Sequence, residues 1–167
     1  MDLRQTAAAL REAPDAGLPL LPVLYEVVPR LDHPADGWLL VLRYAEAGKA
    51  HLGEAKPFAE AALRRTRDLL PETGEDLESR REASILVELA RFVAGRPAGV
   101  VLDEALRAPD PGIRARALAS RLGRGDPVHP AQLESMAAAP VDRAELWEAL
   151  ERIGRLEAFP ARQRNRT

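Results

Sequence analysis

Apolar residues recur three or four positions apart along this chain, in short segments that proline and glycine divide. The clearest segment is "APDPGIRARALASRLG" (108–123), where two prolines and a glycine precede an unbroken run that Gly123 closes. No stretch alternates apolar and polar residues as a half-buried strand does. The pattern therefore predicts an all-α fold without a sheet.

The prolines and glycines predict about nine helices. They are expected at 3–12, 19–30, 35–52, 55–70, 77–94, 98–107, 108–123, 130–138 and 142–158. Asp142, with Glu145 three residues later, has the spacing of a capping box and is predicted to cap the last helix. Because the gaps are short, we expect consecutive helices to be antiparallel neighbours.

The clearest segment has counterparts elsewhere in the chain. It aligns with "APVDRAELWEALERIG" (139–154) and "HPADGWLLVLRYAEAG" (33–48), so that Ile113 meets Trp38 and Ala115 meets Leu146. Each copy has a proline-containing turn, a helix and a closing glycine. A single hairpin cannot bury its apolar face, whereas stacked hairpins share a continuous core. The sequence therefore predicts repeated helical hairpins, with a longer and less regular pair between them.

The residues around the clearest segment follow a recognisable order: Asp, two spacers, an aliphatic residue and Arg, then Ala and Leu, then Leu-Gly. The positions that carry it are Leu102, Leu106, Pro109, Asp110, Ile113, Arg114, Ala117, Leu118, Leu122 and Gly123. This order resembles the HEAT-like helical repeat, most clearly over 98–154. The resemblance implies a right-handed α-α superhelix of stacked antiparallel helical hairpins. A tetratricopeptide-like resemblance over 38–71 ranks second.

Asp110 and Arg114 have a structural interpretation in such a stack. The pair can cap the second helix of its hairpin and bond along the turns of adjacent repeats. Contact with a ligand is the alternative interpretation of the two residues.

Composition adds limits to this picture. Of the 167 residues, 46% are hydrophobic but only 4% aromatic, which suits helices and a single packed domain at 1–158. A basic flexible tail is expected at 159–167. There is no cysteine, which excludes disulfides, thiolate zinc sites and cysteine nucleophiles. The chain also lacks a long apolar run, so we expect a cytoplasmic protein without a membrane partner.

Catalytic motifs are absent from the sequence. His33, His51 and His129 do not have metal-ligand spacing, and the four serines lie outside nucleophile motifs. No glycine-rich phosphate loop occurs. We therefore expect no enzymatic activity, no metal and no small-molecule cofactor.

The sequence best fits a non-enzymatic protein–protein interaction or scaffold module that presents a helical-repeat surface to a protein or peptide partner. The candidate partner-binding residues lie on the second helices of the hairpins and are Arg116, Arg121, Trp147 and Glu151. A nucleic-acid-binding repeat that uses arginines of the C-terminal half is the alternative. The net charge of −2 and the pI of about 6.0 favour the first hypothesis, because nucleic-acid-binding domains are usually basic.

Overall fold

The computed structural model describes residues 20–166, and this part of the chain forms eight α-helices and no strand. The helices are α1 (Leu21–Val27), α2 (Ala35–Glu46), α3 (Lys56–Leu69), α4 (Leu77–Ala90), α5 (Arg96–Ala105), α6 (Pro111–Arg124), α7 (Pro130–Ala138) and α8 (Pro140–Arg152). The 3-10 helices are Val28–Arg30, Leu52–Glu54, Leu70–Glu72, Leu156–Ala158 and Ala161–Arg166. The all-α prediction is confirmed. The helix predicted at 3–12 lies outside the described residues.

The helices pair into four hairpins, α1–α2, α3–α4, α5–α6 and α7–α8, and the hairpins stack. The second helices pack in chain order, α2 on α4, α4 on α6 and α6 on α8, and form one layer. The first helices lie on the other side, where α3 packs on α5. The three aligned segments become α2, α6 and α8, so the predicted stack of hairpins is confirmed. The right-handedness of the superhelix stays a prediction.

The tetratricopeptide-like interpretation of 38–71 would make α2 and α3 one hairpin. In the structure each of these helices packs mainly on α4, and they belong to different hairpins. They meet where the rings of Trp38 and Phe58 lie with centroids 5.3 Å apart.

The core consists of two clusters of buried apolar side chains that share α6. The first cluster extends from α1 to α6, and α6 gives it Ile113 and Ala117. The second lies among α6, α7, α8 and the 3-10 segment that follows, and α6 gives it Ala115 and Leu118. All four side chains are almost completely buried. Opposite sides of α6 thus face different parts of the core.

Phe159 completes the second cluster. It is 1% exposed, and its ring lies edge-on to Trp147 with centroids 5.0 Å apart. The tail predicted at 159–167 therefore begins with a core residue, because the chain turns back over α8 after Gly154 (φ 71°).

Several helix ends differ from the predicted ones. Gly48 (φ 73°) follows the end of α2, so this helix does not reach residue 52. Helix α6 continues through Gly123 and ends at Gly125 (φ 80°), which adopts the left-handed conformation that glycine tolerates best. The predicted cap of the last helix is wrong. Helix α8 begins at Pro140, which places Asp142 inside its first turn.

Asp142 instead belongs to a row of ion pairs that joins successive hairpins, here called the Asp–Arg ladder. Arg80 of α4 lies 2.9 Å from Asp110, and Arg114 of α6 lies 2.8 Å from Asp142. Asp110 also caps α6 by accepting a hydrogen bond from the Ile113 amide at 3.0 Å. The predicted structural role of Asp110 and Arg114 is thus confirmed.

Candidate functional site

The second-helix layer carries a depression on its exposed side, here called the charged groove. All four second helices contribute to it. Its lining consists of Leu42, Glu46, Glu88, Arg91, Phe92, Arg116, Ala119, Ser120, Ala149, Arg152 and Ile153. The groove therefore depends on the stacking of the hairpins and not on any one helix.

Glu88 of α4 lies at the centre of an ion network in this groove. Its Oε1 is 3.4 Å from Nε of Arg116, and its Oε2 is 3.1 Å from Nη2 of Arg152. Nη1 of Arg116 lies 3.9 Å from Oε2 of Glu145. Since Arg152 belongs to α8, side chains of α4 and α8 meet across the intervening α6.

Small residues on α6 make this crossing possible. Ala119 and Ser120 line the groove, and Gly123 follows on the same side of the helix. A Cβ at Gly123 would lie 2.5 Å from Cδ of Arg91. Arg91 therefore passes over the bare backbone of α6, with its guanidinium 4.4 Å from the ring centroid of Phe92.

The surroundings of Glu88 shift its pKa in both directions. Burial raises the pKa of Glu88 above its ordinary value, and this effect outweighs the two arginines Arg152 and Arg116, which lower it. Glu46 raises the pKa further, and Arg43 lowers it. The two arginines therefore do not fully offset the cost of burying the Glu88 carboxylate. A partner that brought another cation to Glu88, or that displaced Glu88 from its arginines, would change the pKa of this carboxyl group.

The enclosed space in the groove is small. Its volume is about 20 Å³, close to what one water molecule needs. Small-molecule sites are usually many times larger. The enclosed part of the groove is therefore too small for a ligand of the usual cofactor size.

The four predicted partner-binding residues do not form one site. Arg116 lines the charged groove, whereas Arg121 contacts Asp103 of α5 and donates to the carbonyl oxygen of Pro127 at 3.2 Å. Five residues turn an α-helix by about 140° beyond a full circle, so the two side chains leave α6 in different directions. The two arginines therefore have different surroundings, and their joint role in partner binding stays a prediction.

Trp147 and Glu151 also lie outside the lining of the charged groove. Trp147 is half-buried against Phe159, and this matches the packing role that aromatic residues usually have on a repeat face. Glu151 is exposed on α8. Of the predicted set, only Arg116 is part of the groove.

Sequence reasoning did not identify Glu88, Arg91 or Arg152. Glu88 and Arg152 are 64 residues apart, and neither lies in a motif. Their alignment follows from the order of stacking, which no local pattern in the sequence records.

Residues 20–166, the part of the chain that the structure describes, hold neither a metal-ligand cluster nor a membrane-spanning helix. Within this range no group of three or more His, Cys, Asp or Glu side chains could hold a metal ion. The helices in the same range are too short or too polar to cross a lipid bilayer.

No protein-family model, no curated protein and no solved structure matches the chain.

Proposed function

We propose that this chain is a non-enzymatic, HEAT-like helical-repeat module that binds a protein or peptide partner in the charged groove. The observation that carries the proposal is the convergence of Arg116 and Arg152 on the partly buried Glu88. Ion pairs that span three helices are costly to desolvate, and an incoming partner can exchange them for its own.

The chemistry of the groove indicates the kind of partner. The carboxylates of Glu46 and Glu88 lie on α2 and α4, whereas guanidinium groups come from α6 and α8. Arg91 adds a further cation, which packs on the ring of Phe92. A complementary partner carries both signs of charge on a short exposed segment. Specificity then comes from matched charge positions, because the groove has little apolar depth.

The nucleic-acid alternative has less support. Four arginines of the C-terminal half already pair with carboxylates of the chain: Arg114, Arg116, Arg121 and Arg124. The paired carboxylates offset the positive charge of these arginines, so the C-terminal half offers little net attraction for a phosphate backbone. The overall pI of about 6.0 also gives little long-range attraction for a polyanion.

The test is capture of partners from source-cell lysate on the immobilised full chain, with and without nuclease, read by quantitative mass spectrometry. The variant Arg116→Glu/Arg152→Glu should lower recovery of the specific partner by about tenfold or more. Arg116→Gln/Arg152→Gln, which adds no negative charge, should lower it less. Circular dichroism checks that each variant is folded.

The matched control is Arg30→Glu/Arg107→Glu, which makes the same change in net charge at two exposed positions outside the groove. This control should retain the partner. Unchanged recovery with the groove variant removes the charged groove from the binding site, and loss of the partner after nuclease treatment supports the nucleic-acid alternative.

A further inference from the structure

A second groove lies on the first-helix layer, between α3 and α5. Its lining consists of Glu60, Leu63, Arg64, Arg67, Arg96, Pro97, Val100 and Val101. We call it the arginine-rimmed groove. It uses none of the residues that line the charged groove, so binding here does not depend on the proposed function.

The floor and walls of this groove are apolar. Leu63 and Val101 form the floor and are 8% and 2% exposed. Val100 is 39% exposed, and Pro97 beside it is also exposed. The four side chains make a narrow apolar strip that faces solvent between two helices.

The rim is rich in arginine. Arg67 binds Glu104 through two hydrogen bonds of 3.0 and 2.8 Å, and this pair closes one end of the groove. Arg64 and Arg96 are exposed, and neither makes an ion pair with any residue in the described part of the chain. This contrasts with the charged groove, where Arg116 and Arg152 both contact Glu88.

We propose that the arginine-rimmed groove binds an acidic peptide segment that carries an aliphatic side chain. Its carboxylates pair with Arg64 and Arg96, and its aliphatic side chain covers Val100 and Pro97. From Arg96 to Glu104 the groove is about 12 Å long, enough for about two turns of a bound helix.

A nucleic acid fits this groove less well. Glu60 on the rim and Glu104 at its closed end would repel a continuous phosphate backbone. The apolar strip also offers nothing to phosphates, whereas a peptide can place its carboxylates at the arginines and an aliphatic group between them. Charge complementarity combined with an apolar strip therefore points to a peptide.

The experiment measures fluorescence anisotropy of a labelled helical peptide of about twelve residues, with leucines on one side and glutamates flanking them. The matched probe replaces each glutamate by lysine. The full-length chain should bind the acidic peptide about tenfold more tightly than the basic one. Arg64→Glu/Arg96→Glu should weaken binding by about tenfold or more, and Val100→Asp should weaken it similarly.

The control is again Arg30→Glu/Arg107→Glu, which should change the affinity by less than about twofold. Circular dichroism confirms that all variants are folded. Equal binding of the two peptides overturns the proposal, as does an equal loss of affinity in the control variant. Displacement of the acidic peptide by a short oligonucleotide at equal concentration also overturns it, because the site would then be one for polyanions.

Discussion

At the scale of single residues, Glu82 is a buried carboxylate that three helices of the first two hairpins hold in place. Trp38 Nε1 donates to its Oε2 at 3.2 Å. Arg65 donates to both carboxylate oxygens, at 2.6 and 2.9 Å. Because both partners of Glu82 are more than fifteen residues away in sequence, these bonds fix how α2, α3 and α4 meet.

Replacing Glu82 by alanine should lower the free energy of unfolding by about 1–3 kcal/mol, because the buried indole N–H loses its acceptor, whereas the half-exposed guanidinium of Arg65 can bind water instead. Urea denaturation measures the change. The control is Asp36→Ala, which breaks the exposed pair with Arg81 and should cost less than about 1 kcal/mol. Equal losses in the two variants would show that burial gives Glu82 no special role.

Glu88 gives a prediction about pH. Since burial raises the pKa of Glu88 above its ordinary 4.5, the folded chain keeps the proton at pH values where the unfolded chain has lost it. The contribution of Glu88 to stability therefore falls as pH rises from its unfolded pKa through its folded one, and is constant above.

The variant Glu88→Gln has no titratable group at this position, so its stability lacks this decrease with rising pH. The stability of the wild-type chain relative to Glu88→Gln should therefore decrease as pH rises above the ordinary pKa of 4.5, as measured by urea denaturation of both proteins at each pH. The test is the slope of this stability difference against pH, because the loss of the ion pairs with Arg116 and Arg152 in the variant adds an offset to the difference itself. A difference that grows with pH would contradict the raised pKa.

The individual residues show what the sequence can predict at this scale. Asp110 and Arg114 were assigned correctly because their roles depend on near neighbours, such as the Ile113 amide and the carbonyl of Ala108. Glu88 could not be assigned, because its contacts depend on which helix faces which.

At the scale of elements, the Asp–Arg ladder joins the second, third and fourth hairpins in one register. Asp76 begins α4 four residues before Arg80, as Asp110 begins α6 four residues before Arg114. The hydrogen bond from Ser79 Oγ holds the pKa of Asp76 below its usual range. This spacing of Asp and Arg is a sequence signal that identifies α4 as a further copy, although the apolar pattern of 77–94 looked irregular.

Variants of Asp110 distinguish its helix cap from its ion pair with Arg80. Asp110→Ala removes both the cap and the ion pair with Arg80, and it should lower the free energy of unfolding by about 1–2 kcal/mol. Asp110→Asn keeps a capping oxygen and should cost less than about 1 kcal/mol. Chemical denaturation compares the two variants. A loss for asparagine as large as for alanine would assign the stabilisation to the ion pair instead of the cap.

At the scale of the whole molecule, the fold class and the stack were predictable because they depend on repetition and on apolar spacing. The ends of the helices were less predictable. Gly123 looked like a terminator, but it is needed where Arg91 crosses α6, and Gly125 terminates the helix instead. The sequence does not distinguish a glycine that ends a helix from one that makes room for a neighbouring side chain, because the difference depends on the neighbouring hairpin.

The division of the core predicts where the molecule opens first. Phe159→Ala should lower stability by about 3–5 kcal/mol through the second cluster, and amide exchange in α7 and α8 should increase before that in α2 and α4. Hydrogen-exchange mass spectrometry measures this. Leu77→Ala, at a side chain 73% exposed, is the control and should change little. A uniform increase in exchange would show that the two clusters unfold as one unit.

The Asp–Arg ladder also bears on how such a protein can lengthen. Duplicating 96–125 would insert a hairpin whose own aspartate meets Arg114 of the original and whose own arginine meets Asp142. Both junctions would reuse existing ion pairs, so the Asp–Arg ladder itself needs no compensating substitution on either side. A gene segment of this size is thus a ready unit of growth by tandem copying.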